Sequence, residues 1–313
     1  MKRRLPVAGI FVLLILLPYF LAPFYKQLLT EILIFGLFSL GFEIIFGFTG
    51  LLNFGTSVFF GLGGYLTLLP ILHWNAGIWT ALLVTILVCV GFSFVYGLAI
   101  SRFRSHYFVA FTIVISMVFF YIAMAERPLT GSDEGLTIRV PPVELGFIRL
   151  GFNHPMVKYY FVLGVCGLVF LLVQKFFRTP YGKAIVAVRE NEDRARLLGY
   201  NTRNLKVASF TLSGAVSGLA GALYVLHLGF SSAHSFFWLW TARSVWWTII
   251  GGVGTLYGAF VGPGVLVFFE DLVSTWSPDL YLIVMGILMI LVIILAPQGI
   301  VGSIQSLLAK RRR

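Results

Sequence analysis

The sequence predicts an all-α polytopic membrane protein, a single transmembrane domain over residues 1–313 with about ten transmembrane helices and Gly-rich broken or re-entrant segments. Hydrophobic residues make up 59% of the chain, charged residues make up 11%, and the mean hydropathy is +0.94. A soluble domain has about 45–50% apolar and about 25% charged residues. Apolar runs recur that match the roughly 20 residues a helix needs to cross a bilayer. Short basic clusters separate these runs.

The apolar runs also predict where the individual spans lie. We expect them at residues 5–25, 28–47, 55–73, 78–100, 107–125, 156–174, 205–227, 241–257, 258–275 and 280–297. The first run has the basic head and apolar core of a signal peptide but no clear small-x-small cleavage site, so we interpret it as a retained span. The stretch 241–275 is interrupted by "GGVGTLYGAFVGPG" and fits either two short crossings or one re-entrant hairpin.

The distribution of basic residues predicts the orientation. With the N-terminus in the cytoplasm, most of the 23 Lys and Arg residues lie on the cytoplasmic side, as the positive-inside rule requires. Both termini are then cytoplasmic, the connection 126–155 is external and the strongly basic connection 175–206 is internal. Because topology explains the net charge of +11, we expect membrane lipid and no nucleic acid as a partner.

The internal connection carries an amphipathic pattern. Residues 184–198 contain no Gly or Pro and predict a helix with an apolar stripe, and Gly199 is its expected C-terminal stop. The stripe consists of Ile185, Val188, Ala195 and Leu198. Acidic and basic residues surround it, so the helix fits either an interfacial helix on anionic lipid or a docking element for a cytoplasmic protein.

Two stretches are rich in glycine. The first, "GFEIIFGFTGLLNFGTSVFFGLGGY" (residues 41–65), favours a translocation path, because broken helices at membrane depth line cavities. Tight helix packing is the alternative. Packing is the preferred interpretation for the second, "SGAVSGLAG" (residues 213–221), which has Gly214 and Gly218 in GxxxG spacing.

Several ionisable residues fall within predicted spans, where they are functional candidates by default. Glu31, Arg243 and Glu270 lie near span ends, where snorkelling to the interface is the simpler interpretation. Glu43 lies deeper and is a candidate cavity residue. A self-sufficient, ion-coupled secondary transporter would use Glu43, or Glu270 together with Asp271, as its coupling site.

The sequence offers no motif for ATP binding, metal binding or hydrolysis. Its only Gly-Lys pair, Gly182 and Lys183, is followed by Ala184, which excludes a P-loop. Cys89 and Cys166 have no partner at metal-binding spacing. No nucleophile has a convincing base in reach. We therefore expect a transport protein rather than an enzyme, with no cofactor or metal bound by this chain.

Six ordered blocks carry a resemblance that covers most of the chain. They are "GFTGLLNFGTSVFFGLGGY", "LTGSDEGL", "TPYGKAIVAVRENEDRARLLG", "SGLAGALY", "GGVGTLYG" and "APQGIVG". Together they resemble the LivM-type permease subunit of ABC importers for branched-chain amino acids, in a superfamily shared with urea and short-amide importers. The resemblance implies a bacterial cytoplasmic (inner) membrane complex of two different permeases, two ABC ATPases that use ATP and Mg, and a periplasmic binding protein.

The resemblance also implies roles for particular residues. In such importers a coupling helix with a loose E-A-A-x-x-x-G pattern seats in the ATPase, and "DRARLLG" (residues 193–199) keeps this spacing except that Arg194 replaces Ala. The expected coupling residues are Arg189, Glu190, Glu192, Asp193, Ala195 and Gly199. The path-lining candidates are Glu43, Gly47, Gly50, Asn53, Gly55, Thr56 and Gly61. The resemblance implies leucine, isoleucine and valine as the leading substrates, with urea or a short amide as the alternative. Glu43 stands where the family commonly has Asn, and Thr56 where it commonly has His, and these departures change the polarity of the path in the direction of an altered substrate.

Overall fold

The fold is a bundle of helices, seen in a computed structural model that describes residues 5–101, 105–145, 148–152, 154–276, 281–296 and 298–310. The first half contains α1 (Leu5–Phe20), α2 (Pro23–Phe46), α3 (Thr56–Trp74), α4 (Ile78–Ile100), α5 (Ser105–Ala125), α6 (Arg127–Thr130), β1 (Leu136–Thr137), β2 (Val143–Leu145) and β3 (Ile148–Leu150). The second half contains α7 (Pro155–Arg178), α8 (Pro180–Glu190), α9 (Glu192–Leu197), α10 (Thr202–Leu228), β4 (Phe230–Ser231), a 3-10 helix (Ala233–Phe236), α11 (Leu239–Gly251), α12 (Gly258–Trp276), α13 (Tyr281–Leu295) and α14 (Gly299–Lys310).

The long apolar helices confirm the predicted class of all-α polytopic membrane protein. Within the described ranges, seven helices are long and apolar enough to cross a membrane: α2, α3, α4, α5, α7, α10 and α12. The other predicted spans coincide with the shorter helices α1, α11 and α13, which have 16, 13 and 15 residues. Residues 280 and 297 of the last predicted span lie outside the described residues.

The ambiguous stretch 241–275 forms two packed helices of unequal length. The 13 residues of α11 rise about 20 Å, which is less than the roughly 30 Å of a hydrocarbon layer. Gly251 of α11 and Gly258 of α12 approach so closely that a Cβ on either would overlap the backbone of the other. The turn 252–257 joins the two helices.

Helix α10 lies at the centre of the bundle, packed against α2, α3 and α4. Small residues permit this close approach. Gly218 lies against the Cys89 side chain of α4, and Gly221 lies against the backbone of Phe60 in α3. The packing interpretation of "SGAVSGLAG" is confirmed.

The connection 126–155 is attached to the segment that follows α10. Strand β1 pairs antiparallel with β4, with Leu136 opposite Ser231. The Tyr65 hydroxyl of α3 donates to the Thr130 carbonyl at 2.9 Å. Strands β2 and β3 pair with each other as an antiparallel hairpin. These contacts hold the connection against one end of the bundle.

Candidate functional site

The connection between α7 and α10 forms two short helices, and the prediction of one helix over residues 184–198 is wrong. Helix α8 ends at Glu190, and Asn191 adopts an extended conformation with φ −162° and ψ 104°. The Asn191 Oδ1 accepts a hydrogen bond from Arg194 N at 2.8 Å and so caps the N-terminus of α9. An asparagine side chain can start a new helix in this way without Gly or Pro. We call residues 179–201 the α8–α9 segment.

Gly199 ends α9, as the sequence predicts. Its φ is +87°, a left-handed conformation that strains any residue with a Cβ. Gly199 N donates to Arg196 O at 3.0 Å, and Tyr200 N donates to Ala195 O at 3.2 Å. These two bonds form a Schellman motif, which fixes the direction in which the chain leaves the helix.

The tip of the α8–α9 segment is apolar and exposed. Leu197 and Leu198 are 88% and 73% exposed, and Tyr200 is exposed beside them. The prediction that Leu198 shares one helical face with Ile185, Val188 and Ala195 is wrong, because α9 starts anew after Asn191 and no longer follows the helical register of α8. The tip therefore presents large apolar side chains to its surroundings.

The base of the segment packs firmly on the bundle. Five buried side chains form an apolar cluster there: Ala184, Ile185, Val188, Ala195 and Leu205. Four of them come from the α8–α9 segment and one from α10. Burial of this cluster anchors both short helices to the same transmembrane helix.

Glu192 adds a charged attachment to α10. Its Oε2 lies 2.6 Å from Lys206 Nζ, and its Oε1 lies 3.3 Å from Arg196 Nη2. Partial burial raises the pKa of Glu192, but the hydrogen bond and charge of Lys206 outweigh that effect, and the net pKa lies below its ordinary value. The carboxylate is therefore ionised at neutral pH and holds α9 against α10.

Arg189 extends from the last turn of α8 to two glycine-rich turns. Its guanidinium donates a hydrogen bond to the carbonyl of Gly47, just after α2. Gly50, with φ +79°, packs against the Arg189 side chain, and a Cβ on Gly254 would lie 2.8 Å from Arg189 Nη1. A larger residue at either glycine would displace the arginine.

Glu43 contacts the turn that contains Gly254 from inside the bundle. Its side chain is completely buried and accepts a hydrogen bond from the backbone N–H of Gly254, in the turn between α11 and α12. A Cβ on Gly47 would overlap the Glu43 carboxylate. The Glu43 Oε2 has no hydrogen-bond partner among the residues that the structure describes. We call Glu43, Gly47, Gly50, Arg189 and Gly254 the turn cluster; it joins the α8–α9 segment to the turns after α2 and α11.

The remaining path-lining candidates lie apart from the turn cluster. Asn53 and Gly55 directly precede α3, and Thr56 is its first residue. Asn53 Oδ1 accepts a hydrogen bond from Gly55 N at 2.9 Å, and Thr56 Oγ1 donates to Asn53 O at 3.0 Å. Gly61 lies farther along α3, against the ring of Phe236. The structure thus brings only Glu43, Gly47 and Gly50 together with Arg189.

A polar pocket opens beside the turn cluster. It has a volume of about 960 Å³ and lies between the α8–α9 segment and the turn after α2. The coupling candidates Glu190, Glu192 and Asp193 line it, together with Arg189. Water can therefore reach the arginine, whereas Glu43 is closed off inside the bundle.

The sequence matches the family described as "Branched-chain amino acid transport system / permease component" over residues 24–293. The chain belongs to this permease family. The resemblance drawn from the six sequence blocks is confirmed, and the permease is a component of a transport system.

Named relatives support the assignment across most of the permease. It is 26% identical to the high-affinity branched-chain amino acid permease protein LivM of Escherichia coli K12, over 96% of this chain and 75% of the relative. It is 25% identical to LivH of the same strain, over 86% of this chain and 91% of the relative. A probable LivM of Methanocaldococcus jannaschii is 25% identical over 51% of this chain and 50% of the relative. No solved structure matches the permease.

Family membership favours an ABC importer permease over an ion-coupled transporter, and Glu270, a candidate coupling acid of the second alternative, is paired with Arg243. Arg243 Nη2 lies 3.3 Å from Glu270 Oε1, and the same guanidinium lies over the Trp240 ring at 5.5 Å. In the part of the chain that the structure describes, no group of three or more His, Cys, Asp or Glu residues could hold a metal ion.

Two residues of the site are absent from the sequence-based candidates. Gly254 lies in the block "GGVGTLYG", but its bond to Glu43 joins residues 211 positions apart and leaves no local sequence signal. Lys206 pairs with Glu192 across the end of α9, over 14 positions. Opposite charges at that spacing are not neighbours on a continuous helix, so the pair becomes visible only once the chain turns back at Gly199.

Proposed function

We propose that this permease is one of two different permease subunits of an ATP-driven importer for leucine, isoleucine and valine. It would lie in the bacterial cytoplasmic membrane with both termini in the cytoplasm and form half of the translocation path. Two ABC ATPases would hydrolyse ATP with Mg, and a periplasmic binding protein would deliver the substrate. The similarity to both LivM and LivH, whose names specify branched-chain amino acids, supports the substrate class and the pairing of two permeases.

The single observation that carries the coupling role is the construction of the α8–α9 segment. Its base is anchored by the buried apolar cluster and by the Glu192–Lys206 pair, whereas its tip exposes Leu197 and Leu198. Exposed apolar side chains on a rigid support are typical of a protein interface. We assign the tip as the contact with the ATPase and the base as the contact that receives the movement.

The turn cluster supplies the route from the segment into the bundle. Arg189 binds the turn after α2, and Glu43 binds the turn after α11, so a shift of α8 would move both turns together. The unpartnered Oε2 of Glu43 offers the guanidinium of Arg189 an acceptor in a second arrangement. Closure of the ATPases would drive the change between the two arrangements and open the path to the other side.

The docking role can be tested by co-purification. Leu198→Glu places a charge on the exposed tip without disturbing the base, and we expect it to reduce recovery of the ATPases with the tagged permease. The control is Leu129→Glu, also an exposed leucine, at 53% exposure in α6, in the connection that we place outside. Equal ATPase recovery with both variants would overturn the docking role.

A further inference from the structure

A groove runs along the surface of the bundle between α4, α7 and α10, and it shares no lining residue with the turn cluster or the polar pocket. It has a volume of about 560 Å³. Val90 and Phe94 of α4 and Ala208 and Ala215 of α10 line its length. The hydroxyl of Thr211, also in the groove, donates to a carbonyl of its own helix at 2.9 Å. The groove thus presents hydrocarbon along its length.

The length of the groove matches one leaflet of a bilayer. The rise along α10 from Asn204 to Ala215, both lining residues, is about 16 Å, and the rise along α4 from Leu98 to Val90 is about 12 Å. Half of a hydrocarbon layer of roughly 30 Å is about 15 Å. The groove is therefore about as long as the depth that one acyl chain occupies in one leaflet.

The end of the groove at the membrane surface is basic. Arg203 Nη2 donates to the carbonyl of Leu98, a lining residue, at 3.3 Å, and its Nε donates to Ser101 Oγ at 3.4 Å. Arg203 itself lines the polar pocket, so its guanidinium lies between that pocket and the end of the groove, held there by the bond to Leu98. Arg178, at the end of α7, and Lys183, on α8, are exposed at the same end of the bundle. In the orientation of the proposed function, this end faces the cytoplasmic leaflet, which carries anionic lipid.

We propose that the groove binds a phospholipid with an anionic head group, with one acyl chain between α4 and α10 and the phosphate at Arg203. The proposal rests on the proposed function only for its orientation. Tyr181 of α8 lines the groove, and its hydroxyl donates to the Asn204 carbonyl at 3.4 Å. A bound lipid would therefore support the first turn of the α8–α9 segment and stabilise its position against α10.

The head-group contact is tested by native mass spectrometry of the purified full-length chain. It is titrated with phosphatidylglycerol and with phosphatidylcholine that carry the same acyl chains. We expect tighter binding of phosphatidylglycerol, and about a fivefold loss of that preference in Arg203→Gln, because one cation near the surface contributes about that factor. The control Arg139→Gln removes an exposed cation from the connection 126–155 and should keep the preference. Equal affinity of the native chain for both lipids would overturn the head-group assignment.

The acyl-chain contact is tested separately by filling the groove. Ala208→Phe should weaken binding of both lipids, whereas Val95→Phe, at a residue of α4 that is 65% exposed and outside the groove, should leave binding unchanged. Unaltered lipid binding in Ala208→Phe would overturn the site. The titration needs neither ATPase nor substrate, so its outcome is independent of the importer assignment. Absence of lipid binding would not contradict that assignment, and lipid binding would still be established if the assignment failed.

Discussion

Replacing Arg189 with methionine tests whether the turn cluster transmits movement from the α8–α9 segment into the bundle, a role distinct from binding the ATPase. We call this the transmission role. Methionine keeps an unbranched stem but removes the guanidinium that donates to Gly47 O. A hydrogen bond from a charged donor contributes about 1.5–3 kcal/mol. Arg189 is exposed to the polar pocket, so water replaces part of this bond and we take the lower limit. About 1.5 kcal/mol corresponds to roughly a tenfold change in an equilibrium constant.

The expected consequence is uncoupling rather than loss of assembly. In proteoliposomes that contain the permease with its partner subunits, Arg189→Met should leave ATP hydrolysis close to the native rate. It should lower the amount of leucine transported per ATP by about tenfold, the change worked out from the lost bond. The matched control is Arg194→Met, which removes an exposed arginine from α9, five positions along the same segment.

The comparison between the two variants decides the outcome. The same ratio of transport to hydrolysis in Arg189→Met and Arg194→Met would refute the transmission role. Loss of ATPase co-purification in Arg189→Met alone would instead make Arg189 part of the docking surface. A low ratio in Arg189→Met with intact co-purification supports the route through the turn cluster.

Three further predictions concern the support of the site. Gly199→Ala forces a Cβ into φ +87° and should destabilise the end of α9 by about 1–2 kcal/mol, seen as faster proteolysis of the α8–α9 segment; unchanged proteolysis would contradict the Schellman cap. Because the pKa of Glu192 is lowered, the Glu192–Lys206 pair stabilises α9 fully above the ordinary carboxyl pKa and is lost as pH falls through the lowered value. Protection of the α9 amides, measured relative to their intrinsic exchange rate at each pH, should fall there in the native chain, and Glu192→Gln should lack this fall. In Gly218→Ala the added Cβ would overlap Cys89, and we expect the variant to lose about 1–3 kcal/mol of stability, measured by thermal unfolding in detergent. The control is Gly164→Ala, at a position where a Cβ meets no atom within 4 Å. It should be neutral or stabilising by roughly 0.5–1 kcal/mol.

The long helices can be predicted from the sequence because the length of an apolar run is visible in the local sequence. A helix that crosses a membrane must satisfy its own backbone hydrogen bonds, so its apolar run is visible without any knowledge of neighbours. The same holds for Gly199, since a left-handed helix end selects glycine. The close packing of α10 is visible through the spacing of Gly214 and Gly218.

The candidate site is recovered only in part because its contacts are not local. The break at Asn191 is hidden, since asparagine is also compatible with a continuous helix until its side chain caps the next one. Glu43 and Arg189 can each be predicted as candidate functional residues from the sequence. That both contact Gly254 becomes visible only in the structure, where α2, α8 and the turn after α11 meet. The sequence places Leu198 on the same apolar face as Ile185 and Val188 only if one helical register continues across that break.

Reconstituted uptake of leucine tests the central claim most directly. Labelled leucine is measured in proteoliposomes that contain the permease, a LivH-like partner permease, two ABC ATPases and the binding protein, with and without ATP. The account predicts uptake that requires ATP and the binding protein and is competed by isoleucine and valine. Uptake by this chain alone, driven by an ion gradient in the absence of ATP, would contradict it.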